Sequence, residues 1–265
     1  MYQNLLTEVD AGVGTITLNR PERHNAFDDV LITELIAAMA AMAADAAVRV
    51  LVIASTGRSF CAGADLNWMK RAAAYSPDES LLDARALAEM LRALAQMNKP
   101  TLARVQGPAY GGGVGLVAAC DIALATCDAQ FTLSEVKLGI IPAVISPHVI
   151  NAIGERHARR YMLTAERFNA AEAYRIGLVH EILPDQPALD DALGRIVGAL
   201  INNGPRALAQ CKDLIRAVAW QPVSAAVIED TAQRIAAIRS SGEAMEGMNA
   251  FLEKRKPSWL PKDAR

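Results

Sequence analysis

Apolar and β-branched residues gather in three short runs near the N-terminus, "GTITLN" (Gly14 to Asn19), "RVLVIAS" (Arg49 to Ser55) and "TLARVQG" (Thr101 to Gly107), each closed by a polar or glycine turn. Runs of this length and composition predict strands. Between them the spacing changes to that of helices in "DDVLITELIAAMAAMAAD" (Asp28 to Asp45) and "SLLDARALAEMLRALAQM" (Ser80 to Met97). Asp28 is placed to cap the first of these. Strand and helix in alternation predict an α/β fold with a largely parallel sheet. Two more strand-like runs follow, "CDIALAT" (Cys120 to Thr126) and "AQFTLSE" (Ala129 to Glu135). After Pro142 the texture becomes helix upon helix with almost no strand pattern. "NAAEAYRIGLV" (Asn169 to Val179) opens on a capping asparagine, "GPRALAQCKDLIRAVAW" (Gly204 to Trp220) has Pro205 in its first turn, and "SSGEAMEGMNAFLEKRK" (Ser240 to Lys256) stops before Pro257. "AAAYSPDES" (Ala72 to Ser80) is the candidate mobile loop.

Length and charge narrow the classes of function. At 265 residues the chain suits one main domain with a smaller appended piece. Its 27 Lys and Arg against 29 Asp and Glu leave a net charge of -2, which creates no field for nucleic acid or acidic lipid. No stretch has the roughly 18 apolar residues of a membrane helix, and no leader pattern opens the chain, so a soluble, cytoplasmic protein is expected. Cys61, Cys120, Cys127 and Cys211 form no CxxC pair and are expected as reduced, mostly buried thiols. The histidines, His24, His148, His157 and His180, are scattered without metal-ligand spacing, so no metal is expected.

The chemistry concentrates in two glycine-rich loops. "VQGPAYGGGVGLVAACD" reads as strand, turn and helix, with Gly111, Gly112 and Gly113 where the helix begins. Backbone N–H groups lack internal partners at that point, and glycine lets a ligand approach them. Taken singly, the triplet reads first as a tight turn. It is not a phosphate loop, for neither Gly-Lys-Ser/Thr nor GxGxxG is present. "GRSFCAGADLNWMKR" (Gly57 to Arg71) repeats the arrangement after the strand at Arg49 to Ser55, turning into a helix at Asp65. Two such loops on neighbouring strands could aim two N–H donors at one oxygen, as an oxyanion hole requires. GxSxG is absent, which leaves carboxylates to move protons. Glu135 in "FTLSEVKLGIIP" stands in an unusually apolar setting, although taken singly it reads first as a solvated side chain, while Asp121 and Glu172 read as structural and capping residues.

In this order the stretches "ITLNRPERHNAF", "SFCAGADLNWM", "VQGPAYGGGVGLVAACDIALA", "AQFTLSEVKLGIIP", "ARRYMLTAERFNAAEAYRIGLVHEILP" and "GMNAFLEKRKPSW" resemble the enoyl-CoA hydratase/isomerase (crotonase) superfamily over nearly the whole chain. The resemblance implies a ClpP-like superhelix of ββα turns over residues 1–200. It implies a helical region over 201–265 that trimerises, often as a dimer of trimers. It also implies an acyl-CoA ligand and no separate cofactor, coenzyme A being part of the substrate. Carried over by motif, the backbone N–H groups of Ala64 and Gly112 hold the thioester oxygen and Glu135 is the catalytic glutamate. Arg23, His24, Ala62, Asp65 and Leu66 line the adenine and pantetheine, with Gly111 beside the hole, and Phe251 and Lys254 reach the CoA nucleotide. Trp68 and Met69 read either as acyl-pocket wall or as core, and His148 as a surface or capping residue before an acyl-tail ligand. Cys61 reads as a small buried residue.

One position departs from the family's familiar hydratase pattern, in which a second glutamate stands two residues after the third glycine. Here that residue is Gly115. The segment Ser134 to Phe168 looks most like methylglutaconyl-CoA hydratases and the related isohexenylglutaconyl-CoA hydratases. The resemblance therefore implies hydration of a branched or carboxylated enoyl-CoA. The rival expectations are a single-glutamate isomerase and a non-catalytic member that binds acyl-CoA or RNA.

Overall fold

The computed structural model describes residues 2–260 of the chain. Two strands open it, β1 (Leu5–Asp10) and β2 (Val13–Leu18), joined antiparallel through a turn in which Ala11 and Gly12 both take positive φ. There follow α1 (Asp29–Ala44), β3 (Val50–Ser55), α2 (Leu66–Ala72), α3 (Pro77–Ala95), β4 (Thr101–Val105), β5 (Ala109–Tyr110) and α4 (Gly112–Ala119). Next come β6 (Ile122–Thr126), β7 (Gln130–Thr132), α5 (Ser146–Thr164), β8 (Phe168–Asn169), α6 (Ala170–Arg175) and β9 (Glu181–Leu183). Four helices end the described chain: α7 (Gln186–Ile201), α8 (Pro205–Val218), α9 (Ala225–Arg239) and α10 (Gly242–Leu252).

Six strands make the main sheet in the order β1-β2-β3-β4-β6-β9, parallel throughout except for the β1–β2 pair. All six residues of β3 are buried, which explains why its sequence is a continuous apolar run. A smaller sheet, β5-β7-β8, stands apart from it. Leu31, Leu35 and Met39 recur along one face of α1 and are fully buried in the core, as are Met90, Leu91 and Leu94 of α3.

The chain divides into two compact units, Met1–Met97 with Thr101–Arg195, and Asn98–Pro100 with Ile196–Arg265. Within the second, Lys212 Nζ donates to the Lys99 carbonyl at 2.9 Å and Trp259 Nε1 to the Asn202 carbonyl at 3.1 Å. The final five residues of the region expected at 201–265 lie outside the described residues.

Five expectations require correction. β1 was not foreseen because five of its six residues face solvent, so it carries little apolar signal. β9 lies in the stretch read as helix upon helix with almost no strand pattern, and three residues are too few to display alternation. The loop expected over 72–80 shrinks to 73–76, because the Ser76 hydroxyl caps Glu79 N–H while Glu79 accepts from Ser76 N–H, and α3 begins at Pro77. Only Cys61 of the four cysteines is buried, with Cys127 and Cys211 exposed. Glu172 does not complete a capping box: Asn169 caps its N–H, while its carboxylate pairs with Arg175 and Tyr161. Asp121, by contrast, makes the expected structural bonds, accepting from Thr101 N–H at 2.7 Å and Thr101 Oγ1 at 2.9 Å.

Among the described residues no helix is long and apolar enough to cross a membrane. Nor do any three or more His, Cys, Asp or Glu side chains cluster in a way that could hold a metal ion.

Candidate active site

The two glycine-rich loops meet. The chain after β3 is stitched to the chain before α4 by Phe60 N–H to the Pro108 carbonyl (2.9 Å) and Tyr110 N–H to the Cys61 carbonyl (2.9 Å). Gly63 takes φ +87°, and a Cβ there would stand 2.9 Å from Tyr110 O and 3.7 Å from Gly112 N. Only glycine meets both the angle and the contact. Around Ala64 the backbone is committed on either side, Gly63 O accepting from Phe27 N–H at 2.6 Å and Asp65 N–H donating to Phe27 O at 2.8 Å. The Ala64 N–H itself, like that of Gly112 in the first turn of α4, has no acceptor among the described residues. Two unsatisfied donors on adjoining loops, one at a helix N-terminus, are the kind of pair that an oxyanion hole uses.

Both donors line a cavity of about 530 Å3 that also admits Glu135, Trp68, Leu87 and Ile141. That volume falls in the range of small-molecule sites. Ile140, Pro142, Val144 and Ile145 complete an almost wholly apolar wall. Glu135 begins a short 3-10 helix, Glu135–Leu138, directly after β7. Its Oε2 is buried with no hydrogen-bond partner. Desolvation raises its pKa above the ordinary carboxylate value. A buried acceptor without a donor, on a residue that lines an apolar cavity beside two unsatisfied donors, is suited to proton transfer with a bound molecule.

A second depression of about 440 Å3, lined by Arg23, His24, Asp65 and Lys70, shares Ala62, Ala64 and Leu66 with the first. The two therefore adjoin at the loop that bears the Ala64 donor. Asp65 holds this loop: its carboxylate caps α2 through Asn67 and Trp68 N–H and accepts from Arg23 Nη1 at 3.0 Å. Burial pushes the Asp65 pKa up, but the bonds from Arg23, Trp68 and Asn67 outweigh it and the carboxyl lies below its ordinary value. His24 Nδ1 contacts Ser59 Oγ at 3.0 Å, and Arg58 Nη2 lies 3.2 Å from its Nε2.

The structure thus brings together Glu135, Ala64, Gly112, Gly111, Ala62, Leu66 and Trp68 around the first cavity and Arg23, His24 and Asp65 around the second. Phe251 and Lys254 belong to the other compact unit, Phe251 exposed in the last turn of α10 and Lys254 just beyond it with φ +54°. Of the basic run there, Arg255 is already paired with Glu246 (2.6 Å) and Glu253 (2.6 Å). Met69 lines the first cavity with Trp68, whose Nε1 donates to Asp83 Oδ1 at 2.9 Å. Burial lowers the His148 pKa, and it pushes the Cys61 thiol up to about 12, which keeps that sulfur protonated.

Sequence reasoning missed several supports. Phe27 lays its ring against the Gly112 backbone, where a Cβ would stand 3.0 Å from two ring carbons. Arg20 is buried, joined to Asp28 at 2.7 Å and Asp65 at 3.5 Å. Buried Asn25 ties this loop down through its side chain to Arg20 N–H, Thr56 O and Ser59 O. The "RPERHNAFD" stretch signals them only as an unusual density of polar residues ahead of a helix.

The chain is similar to known proteins over most of its length. Residues 8–262 match the family model described as enoyl-CoA hydratase/isomerase. A crystal structure of an enoyl-CoA hydratase from Shewanella pealeana superposes with a TM-score of 0.94 at 43% identity, covering 97% of this chain and 96% of that one. The 2,3-dehydroadipyl-CoA hydratase of Escherichia coli is 33% identical over 92% of this chain and 93% of its own length. The 1,2-epoxyphenylacetyl-CoA isomerase of the same organism is 30% identical over 99% of this chain and its full length. The expected crotonase-type α/β fold is therefore the observed one.

Proposed function

The chain belongs to the enoyl-CoA hydratase/isomerase family, and from that premise we propose a hydro-lyase that adds water across the α,β double bond of a branched or carboxylated enoyl-CoA, such as 3-methylglutaconyl-CoA. The observation that carries the reading is the buried, unpartnered Oε2 of Glu135, a residue that lines the same cavity as Ala64 and Gly112. In this mechanism Glu135 takes a proton from water as the hydroxide oxygen bonds Cβ. The double-bond electrons move to the thioester oxygen, where the two N–H groups hold the enolate. Glu135 then returns the proton to Cα. Each donor contributes about 3 to 4 kcal/mol to the transition state, and the positioned carboxylate about 10²- to 10⁴-fold in rate.

The familiar second glutamate has no room here. A Cβ at Gly115 would stand 2.4 Å from Ile145 Cγ2 and 2.8 Å from Ile145 Cβ. One carboxylate must therefore serve both proton steps, with water or the substrate's own carboxylate assisting. A carboxylated substrate draws support from the dehydroadipyl-CoA hydratase relative, whose named substrate carries a second acid group. The branched alternative draws support from the apolar wall of Ile140, Ile141, Val144 and Ile145.

A single carboxylate also suits proton shuttling without water, and one relative is named as an isomerase. Steady-state turnover of methylglutaconyl-CoA, crotonyl-CoA and a 3-enoyl-CoA, with products weighed in heavy-oxygen water, decides. Label in the product supports hydration; turnover without label supports the isomerase; negligible hydration of both 2-enoyl substrates overturns the main reading. In the same proposal the C-terminal helices assemble a trimer or dimer of trimers, which the exposed Ile215, Ile228, Met245 and Met248 support and light scattering tests.

A further inference from the structure

The packing of Ile145 on α4 has a consequence for the substrate. Gly115 lies one turn, about 4.5 Å along the helix axis, below the Gly112 donor. Side chains on a helix lean toward its N-terminus, so a side chain at 115 would point to the end of α4 that carries this donor. That space is occupied by Ile145, whose Cγ2 and Cβ stand where a side chain at 115 would begin, with Leu91 Cδ1 at 3.6 Å behind. Ile145 is 3% exposed, is fixed by its place as the residue before α5, and lines the same cavity as Glu135, Ala64 and Gly112.

From this we infer that Ile145 is a specificity-determining residue that presents an apolar wall beside the oxyanion site and selects acyl chains with an apolar branch at or next to Cβ. The inference rests on the acyl-CoA reading above. With the carbonyl oxygen at Gly112, Cβ lies two bonds beyond the carbonyl carbon, within the reach of a residue packed one turn down α4. A methyl branch there meets hydrocarbon rather than a charged or hydrated group. Its burial is worth roughly fourfold in affinity at about 0.8 kcal/mol per methyl-sized group. A straight chain leaves that wall bare.

The test compares wild type with Ile145→Ala and the milder Ile145→Val on two probe pairs. The first pair is 3-methylcrotonyl-CoA against crotonyl-CoA, read as kcat/KM for hydration. The second is 3-methylbutanoyl-CoA against butanoyl-CoA, read as dissociation constants by calorimetry, which requires no turnover. The expected result is a branched-to-straight ratio that falls by up to about fourfold in Ile145→Ala and less in Ile145→Val, in both measurements. A ratio unchanged in the calorimetric pair overturns the inference even if both substrates are hydrated. Absent hydration with a shifted calorimetric ratio overturns the hydratase reading and leaves Ile145 its role. Should Ile145→Ala fail to fold, Ile145→Val decides by the same calorimetric criterion.

Discussion

Gly111 presses its backbone against Glu135: a Cβ at Gly111 would stand 3.0 Å from Glu135 Oε1. The same residue caps α4 with φ +48°, so the turn that frees the Gly112 donor also makes room for the carboxylate. Gly111→Ala is expected to displace Glu135 and strain the turn, costing about 1 kcal/mol or more of stability and about 10²-fold in kcat. Denaturant melts beside steady-state kinetics check it. Unchanged kcat with a lowered melting midpoint would separate the strain from the displacement and refute the coupling.

Gly63 links the other loop to the same place. Because an added Cβ would push on Tyr110 O at 2.9 Å, Gly63→Ala should part the Ala64 and Gly112 donors. The expected loss is about 10²- to 10³-fold in kcat with a smaller change in KM, as when one oxyanion donor is removed. A variant that raises KM alone would show that the loop only binds.

The buried carboxylate sets a pH profile. Glu135 must be ionised to accept a proton from water, and its pKa is raised above 4.5 by desolvation, so the acidic limb of kcat/KM is expected above that value. Glu135→Gln should lower kcat about 10²- to 10⁴-fold. Stability runs the opposite way. With the folded pKa above the unfolded one, the favourable contribution is complete below the unfolded pKa and is lost as pH rises through the folded pKa. The melting temperature of Glu135→Gln should therefore gain on wild type across that window, as a pH series of thermal melts would record.

Arg20 tests the scaffold beneath the site. It is buried between Asp28 and Asp65, so Arg20→Ala takes the paired cation from Asp28 while Asp65 keeps Arg23, and is expected to cost about 3 kcal/mol. Chemical denaturation measures this directly. A loss under 1 kcal/mol would mean that Asp28 finds water without disturbing α1.

Much of this arrangement was legible along the chain. The apolar run of β3 announces a doubly covered strand because burial on both faces admits no polar alternation. Asp28, Asn169 and Pro205 mark helix starts by local capping chemistry, which needs no distant partner. Glu135 stands out because "SEVKLGIIP" surrounds a carboxylate with apolar residues. β1 and β9 escaped notice since an exposed edge strand and a three-residue strand are defined by their neighbours' hydrogen bonds.

The sequence by itself determined the α/β order of elements, the two glycine loops and the candidate carboxylate, all of which depend on residue type and short spacing, while the family resemblance added the missing glutamate at position 115. Only the tertiary structure decided that Gly63 and Gly112 converge, that Asp83 holds Trp68 and that Ile145 fills the space above Gly115. Each of these joins residues from different elements across 15 to 49 positions. Such pairings arise from close packing and buried hydrogen bonding, where a clash of a few tenths of an ångström selects glycine or isoleucine, and no pattern of neighbours along the chain carries that information.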